Sequence, residues 1–422
     1  MTKRMPYVLS VLVLLSLLST ATGAEIEEFK VKREAVFEFA QKPVVARDGD
    51  KVTIAFEAKG FCDVTVAIED ANGKIIRHLA CGVLGPKAPP PFQKDSKKQA
   101  IIWDGKSDQE VYVDDKDSHT IRVSLGLKPQ FERTLFWSPK KRIGFPYPVL
   151  RAGPEGVYMA EGYDLDQVKL FDHQGNYLRM VYPFPADKVS KVQGLKMHTF
   201  AQDGKSLPLK RGYCQASLLT SGPDTYGGYA ATGMAASKDR VALVNLKLNR
   251  LAPDGSSGGL PFEGPNVGIS VKQDGCGWGH PLFTYTPMSA VLSPDGKWLY
   301  LAGYQADFNG GWGGREWLNG VMRMPFEGDK EPTVFVGSNL PGIKNGGGTE
   351  NGKFQMVSSV ACDAQGRVYV GDYMNDRVQV FDADARHLKS IPIAKPAGVA
   401  VHQKTGDIYV FSWMLNNRMF TS

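Results

Sequence analysis

The sequence predicts an all-β protein, a small β-sandwich followed by a β-propeller of about five or six blades. Three observations predict it. Short runs rich in Val, Ile and aromatic residues recur along the chain without helical periodicity. The 46 glycines and 26 prolines among 422 residues supply the turns such strands need. From about residue 144 onward a glycine- or aspartate-led strand with an aromatic or aliphatic centre returns repeatedly. A unit of that kind cannot bury its apolar face alone, so its copies must stack.

The N-terminal residues 1–24 read as a secretory leader. Lys3 and Arg4 precede an apolar run from Val8 to Leu18, and small residues follow up to Ala24, after which cleavage is expected. The run is shorter than the ~20 residues that span a bilayer, and nothing later is apolar enough to do so. The expectation is an exported protein, periplasmic or extracellular, with no membrane span in its mature chain. Loss of the leader's two cations takes the formal charge from +6 to +4. Lys and Arg alternate with Asp and Glu instead of clustering, which excludes a nucleic-acid footprint.

Residues 35–130 read as a β-sandwich. VTIAFEA, DVTVAIED, KIIRHLA, QAIIWDG and HTIRVSLGL are successive short strands, and Val64, Val66 and Ile68 share one face by period-two alternation. Asn72-Gly73 is a strong hairpin turn between the second and third of these. Counting back from it brings Cys62 and Cys81 to the open end of the hairpin, within about two residues of opposite register. An exported location permits a disulfide there, with two buried free thiols as the alternative. Cys214, Cys276 and Cys362 show no pairing, and no C-x-x-C occurs.

Ile68, Asp70, Gly73, Ile76, Arg77 and Leu79, followed by Trp103-Asp104-Gly105, resemble the Ig-like domain first described in the flagellar hook-capping protein. Residues Asp114 to His119 depart from it, standing where that family has a Gly-Tyr pair. The resemblance implies an accessory sandwich module and no specific role, because this architecture hosts many functions.

The segment 140–422 carries the repeats. Clear copies are Gly156-Val157-Tyr158-Met159, Gly296 to Leu301, Gly366 to Val370 and Gly406 to Val410, with Asp239 to Leu243 a weaker one. The last two lie 40 residues apart, an ordinary blade spacing. Val368-Tyr369-Val370, Asp372, Asn375, Arg377-Val378 and Phe381-Asp382 resemble the NHL-repeat family of β-propellers. Tyr158, Glu161, Val168 and Phe171-Asp172 keep the pattern with one extra turn residue, and Tyr409, Asn417, Arg418 and Phe420 keep part of it. In that family the Asp, Asn and Arg mainly tie the turn together. Residues 184–230 and 304–321 do not fit a plain blade and read as rim insertions, where binding usually sits. The last blade stops soon after its second strand, so either an earlier strand closes it or the sequence is a fragment.

No complete catalytic signature occurs. Cys276-Gly-Trp-Gly-His280 has one cysteine where covalent haem needs two. In Gly347-Gly-Thr-Glu-Asn-Gly352-Lys353 the next residue is Phe354, not the hydroxyl residue of a nucleotide-binding loop. Gly255-Ser256-Ser257-Gly258-Gly259 and Ser138-Pro-Lys-Lys141 lack the strand and helix that would arm a serine. Neither haem nor nucleotide is expected.

The preferred reading is a non-catalytic binding protein that recognises a polysaccharide or an extracellular protein. Trp278, His280, Trp312, Arg315, Glu316 and Trp317 lie in glycine-rich sequence, and an exposed indole offers a flat apolar face with one donor. The indoles packing between blades is the bland alternative. The rival function is a metal-dependent lyase or lactonase in the propeller channel, as the resemblance to NHL-type propellers allows. It would draw on His198, His280, His402, Glu161 and Asp372 to hold calcium or zinc.

Overall fold

The computed structural model describes residues 33–49, 51–108, 111–115, 118–126, 131, 133, 135, 148–161, 167–195, 197–208, 231–272, 282–306, 317–341, 346–413 and 415. Among them there is no α-helix, only short turns of 3-10 helix such as Val189–Lys191. The chain is all-β.

Six strands build the sandwich: β1 (Phe39–Asp48), β2 (Lys51–Ala58), β3 (Asp63–Glu69), β4 (Ile75–Val83), β5 (Lys98–Trp103) and β6 (Thr120–Leu125). They form two three-stranded sheets, β1-β2-β5 and β4-β3-β6. Strict alternation on β2 sends Val52, Ile54, Phe56 and Ala58 inward, where they meet Val64, Val66 and Ile68 of β3. Trp103 closes this core and donates its indole N–H to the Lys106 carbonyl at 2.8 Å. The Asn72-Gly73 turn is formed, with Gly73 at φ 74° and Asp70 accepting from the amides of Asn72 and Lys74.

The expected Cys62–Cys81 bridge is not formed, and both thiols are free. The register explains it. Cys81 lies opposite Thr65, while the Cys62 carbonyl accepts from Leu84. Cys62 therefore points into the core with Val64 and Val66, whereas Cys81 shares the opposite face with Thr65. Burial pushes the Cys81 thiol up to about 11.

The propeller sheets follow as antiparallel meanders. The first is β7 (Val149–Gly153), β8 (Gly156–Glu161), β9 (Gln167–Phe171) and β10 (Tyr177–Tyr182). A hairpin, β11 (Met197–Thr199) and β12 (Ser206–Pro208), leads away from it. The second sheet is β13 (Gly233–Ala236), β14 (Val241–Val244), β15 (Lys247–Leu251) and β16 (Glu263–Asn266). The third has five strands, β17 (Ile269–Lys272), β18 (Leu282–Leu292), β19 (Trp298–Ala306), β20 (Leu318–Pro325) and β21 (Thr333–Pro341). The fourth is β22 (Val357–Cys362), β23 (Val368–Asp372), β24 (Arg377–Phe381) and β25 (His387–Pro392). The fifth is the pair β26 (Pro396–Val401) and β27 (Ile408–Ser412), and among the described residues no earlier strand joins it.

Successive sheets meet through their inner strands, β7 with β13, β13 with β18, β18 with β22 and β22 with β26. A side chain crosses each of these seams to a backbone group. Arg151 donates to the Met234 carbonyl at 2.6 Å, and Thr232 to that of Pro287 at 2.7 Å. Ser289 accepts from the Val360 amide at 3.1 Å, and Ser358 donates to the Pro396 carbonyl at 2.5 Å. Apolar layers fill the space between. Tyr158, Val168 and Leu170 pack on Met234, Val241 and Leu243, and Tyr369, Val378 and Val380 pack on Val399, Ile408 and Val410. On the last sheet Tyr409 and Phe411 face the other way and are exposed.

The sandwich stands on the turn between β26 and β27. Ile75 donates its amide to the Thr405 carbonyl, and His78 bridges the Gly406 carbonyl at 3.0 Å and Asp108 at 2.6 Å. Lys389 reaches Asp108 at 2.5 Å, and Arg122 joins Glu69 to Asp407. Burial alone would raise the Asp108 carboxyl, but the His78 hydrogen bond and the Lys389 charge outweigh it and hold it well below the usual range.

Two outcomes follow. Replacing Ser289 with Ala leaves the buried Val360 amide unpaired, so urea unfolding should show a loss of about 1–3 kcal/mol. A group depressed in the folded state stabilises above its unfolded pKa and loses that contribution as pH falls through the folded one. Thermal midpoints should therefore drop below about pH 4 in the native chain. Asp108→Asn should start lower and show a flatter acid limb; an unchanged acid limb contradicts the assignment.

Candidate functional site

Because each sheet is an up-and-down meander, its connections separate to two ends. Counting the third sheet from β18, the first-to-second and third-to-fourth strand turns share one end, here the lower face. The second-to-third turns and the links to the next sheet share the other, the upper face. The lower turns are mostly short, such as 154–155 between β7 and β8 or 237–240 between β13 and β14. Long connections join strand ends at the upper face: 273–281 between β17 and β18, 307–317 between β19 and β20, and 342–356 between β21 and β22. The connection 183–232 between β10 and β13 first runs beside the lower turn 253–261, where Lys188 meets Asp254 and Gln193 meets Ser257.

Trp278, His280, Trp312, Arg315 and Glu316 lie outside the described residues, in two of these upper connections. Trp317 is described and departs from the expected exposed indole. It is 6% exposed and packs with Met356, Tyr373, Ala397 and Leu415, a cluster spanning the last three sheets. Its ring is core, and its Nε1 has no hydrogen-bond partner among the described residues. Beneath it Asn319 accepts the Met356 amide at 2.9 Å, and Tyr373 donates to the Trp413 carbonyl at 3.0 Å. Sequence reasoning missed Asn319 and Tyr373. Tyr373 follows the Asp372 turn position directly and was legible only as turn sequence.

The metal candidates divide between the two faces. Glu161 and Asp372 end β8 and β23 at the upper face, in matching blade positions. His198 sits on the exposed strand β11 against Phe200. His402 lies in the lower turn between β26 and β27, where its Nδ1 faces the amide and hydroxyl of Thr405. Among the described residues no three His, Cys, Asp or Glu side chains gather as a metal site.

Asp372 shows why its position is structural. It is fully buried and accepts from the Gln355 amide, Asn375 Nδ2, Arg377 Nε and Gln379 Nε2, all between 2.7 and 3.1 Å. Those four donors use the lone-pair directions a carboxylate offers. Burial still pushes its carboxyl above the ordinary range, the bonds from Asn375 and Arg377 pulling back only in part. In the first sheet Glu161 takes the Asp372 place and Lys169 the Gln379 place, with Lys169 Nζ on Glu161 at 2.7 Å. The loop 346–353 is likewise a polar brace: Asn375 donates to the Gly348 carbonyl and Gln379 accepts the Gly352 amide.

No family model matches the chain, and no curated protein sequence does. Among solved structures the chain is similar to an auxiliary nutrient binding protein from Bacteroides thetaiotaomicron VPI-5482, at 10% identity over 89% of this chain and 96% of that one, with a TM-score of 0.31. It is also similar to a streptogramin B lyase, at 12% identity over 64% of this chain and 84% of that one, TM-score 0.29. A third likeness is to the calcium-binding protein regucalcin of Agrobacterium tumefaciens, at 16% identity over 44% and 70%, TM-score 0.22. Likenesses at this level attach no activity to this chain.

Removing the Asp372 carboxylate strands Arg377, so Asp372→Ala should cost about 3–5 kcal/mol in chemical denaturation. Native stability combined with loss of a bound calcium or zinc would instead make Asp372 a ligand.

Proposed function

We propose that the chain is an exported, non-catalytic NHL-type propeller protein that holds an extracellular polysaccharide on its upper face. In this reading residues 1–24 are a removed leader, 35–130 an Ig-like accessory sandwich and 140–422 the propeller. The leader-like order of charged, apolar and small residues supports export. Among the described residues no helix is long and apolar enough to cross a membrane.

The observation that carries the proposal is topological. The connections bearing Trp278, His280, Trp312, Arg315 and Glu316 both belong to the third sheet and both leave it at the upper end. The strand ends that these connections join lie at the same end of the sheets as the Trp317 cluster, whose indole N–H bonds none of the described residues. Long loops on a rigid scaffold are where binding groups are usually carried. Trp317 is assigned as the packed base of that surface, and Trp278 and Trp312 as its ligand-facing rings. The lyase or lactonase alternative needs cation ligands gathered on the axis. Glu161 and Asp372 are tied to their own blades, and His402 sits at the far end of its sheet.

Affinity electrophoresis through gels containing xylan, pectin, mannan or glycogen tests the proposal. At least one polymer should retard the native chain, and the double variant Trp278→Ala/Trp312→Ala should lose at least about tenfold in affinity with an unchanged unfolding midpoint. Trp317→Ala should instead lose stability, by about 3–5 kcal/mol. No retardation by any polymer, or equal retardation of the double variant, contradicts the assignment; retention of an extracellular protein in place of every polymer would give the face to a protein partner.

A further inference from the structure

The lower face holds a cleft of about 470 Å³ where the turns of the first, second and third sheets meet. That volume lies within the ~300–1,000 Å³ of small-molecule sites. We infer that it is a second binding site, for a neutral polyhydroxylated ligand of about one or two sugar rings.

Its walls are two ion-paired guanidiniums. On one side Arg179 donates to the Pro253 carbonyl at 2.8 Å and to Glu155 at 2.5 Å. On the other Arg240 donates to the Gly296 carbonyl at 2.7 Å and to Glu327 at 2.6 Å, its guanidinium lying over the Phe326 ring. Three of these contacts cross from one sheet to the next and the Arg179–Glu155 pair ties two parts of the first sheet, so the walls belong to the scaffold and not to a free loop. Between them runs the turn 253–259, the Gly-x-Ser-x-Gly look-alike of the sequence. Asp254 accepts from both the amide and hydroxyl of Ser256, and buried Ser257 accepts the Gln193 amide. Leu251 and Leu260 complete the lining. Polar groups already fixed by the fold lose little freedom on binding.

The charge pattern selects the ligand class. Arg179, Arg240 and Lys238 face Glu155, Glu327, Asp239 and Asp254, and Lys188 beside Asp254 evens the balance. A phosphate or sulfate would need cations not already compensated, and a polycation would need spare carboxylates. What the cleft leaves unused is mixed. Among the described residues Arg179 Nη1 and Lys238 Nζ remain as donors, and the second oxygens of Glu155 and Glu327 remain as acceptors. Vicinal hydroxyls, each both donor and acceptor, match such a set. The sandwich leaves this part of the lower face open, because it docks under the fourth and fifth sheets through Lys389 and Asp407.

Saturation-transfer NMR with lactose, maltose, cellobiose and sucrose, each alone, tests the inference on the full chain. Phosphorus line broadening of inorganic phosphate runs in parallel. At least one disaccharide should receive saturation, and Glu327→Ala and Arg240→Ala should each weaken it at least fivefold, with phosphate unaffected. Should Arg240→Ala not fold, Glu327→Ala decides, since that side chain is 58% exposed and bears no buried load. The inference is overturned by silence from all four sugars, by undiminished transfer in folded Glu327→Ala, or by phosphate binding that Arg240→Ala abolishes. Trp278→Ala/Trp312→Ala should leave the transfer intact, so this site fails or stands separately from the upper face.

Discussion

The seam between neighbouring sheets is the constraint on which the rest of this structure depends. Each propeller sheet is too narrow to hide its own faces, so it is stable only against the next. At four seams in succession a side chain on or beside an inner strand bonds the adjacent inner backbone: Arg151, Thr232, Ser289 and Ser358. The approach is close enough to dictate glycine. A Cβ on Gly371 would lie 2.4 Å from Ser358 Oγ and 2.8 Å from the Pro396 carbonyl oxygen, and one on Gly303 would lie 2.7 Å from the Ser358 carbonyl oxygen. Hydroxyl and glycine are thus two halves of one device, a short polar group and the space that admits it. Arginines repeat the device near the lower face, with Arg179, Arg240, Arg250 and Arg323 each donating to a carbonyl of the following sheet.

That logic explains what could be read from the sequence. Strands with an internal alternation or a repeated Gly-led start, such as β2, β8 and β23, were legible because their burial pattern is local. The Asp372, Asn375 and Arg377 turn was legible as structure for the same reason: its hydrogen bonds close within a few residues. Strand β1 was not, since it is an exposed edge with Pro43 in its middle and no alternation to mark it. The Cys62–Cys81 pairing went astray by a small register error, which in a sheet moves a side chain to the other face. Trp317 was indistinguishable from its neighbours in glycine-rich sequence, and only the converging Met356 and Tyr373, far along the chain, make it core. The lower cleft left no sequence signal, because Arg179, Arg240 and Glu327 come from three separate sheets.

Function divides along the same geometry. At the upper end the third sheet gives off the connections that carry the proposed polymer-binding indoles, beside the packed Trp317 cluster. The lower face carries short turns, the docked sandwich at one side and a charge-balanced cleft at the other. The joint through His78, Asp108 and Lys389 fixes the sandwich to the last two sheets, away from the turns that line the cleft. Neither proposed site uses a group that the seams require for closure of the inner strands.

Native-state hydrogen exchange, read amide by amide, tests the shared-seam account most directly. If the seams make the sheets one cooperative body, the inner strands β13, β18 and β22 should exchange last and through a common opening, and Ser289→Ala should accelerate all three together. Sheets that open one at a time with unrelated protection, or a Ser289→Ala effect confined to the Val360 amide, would contradict it.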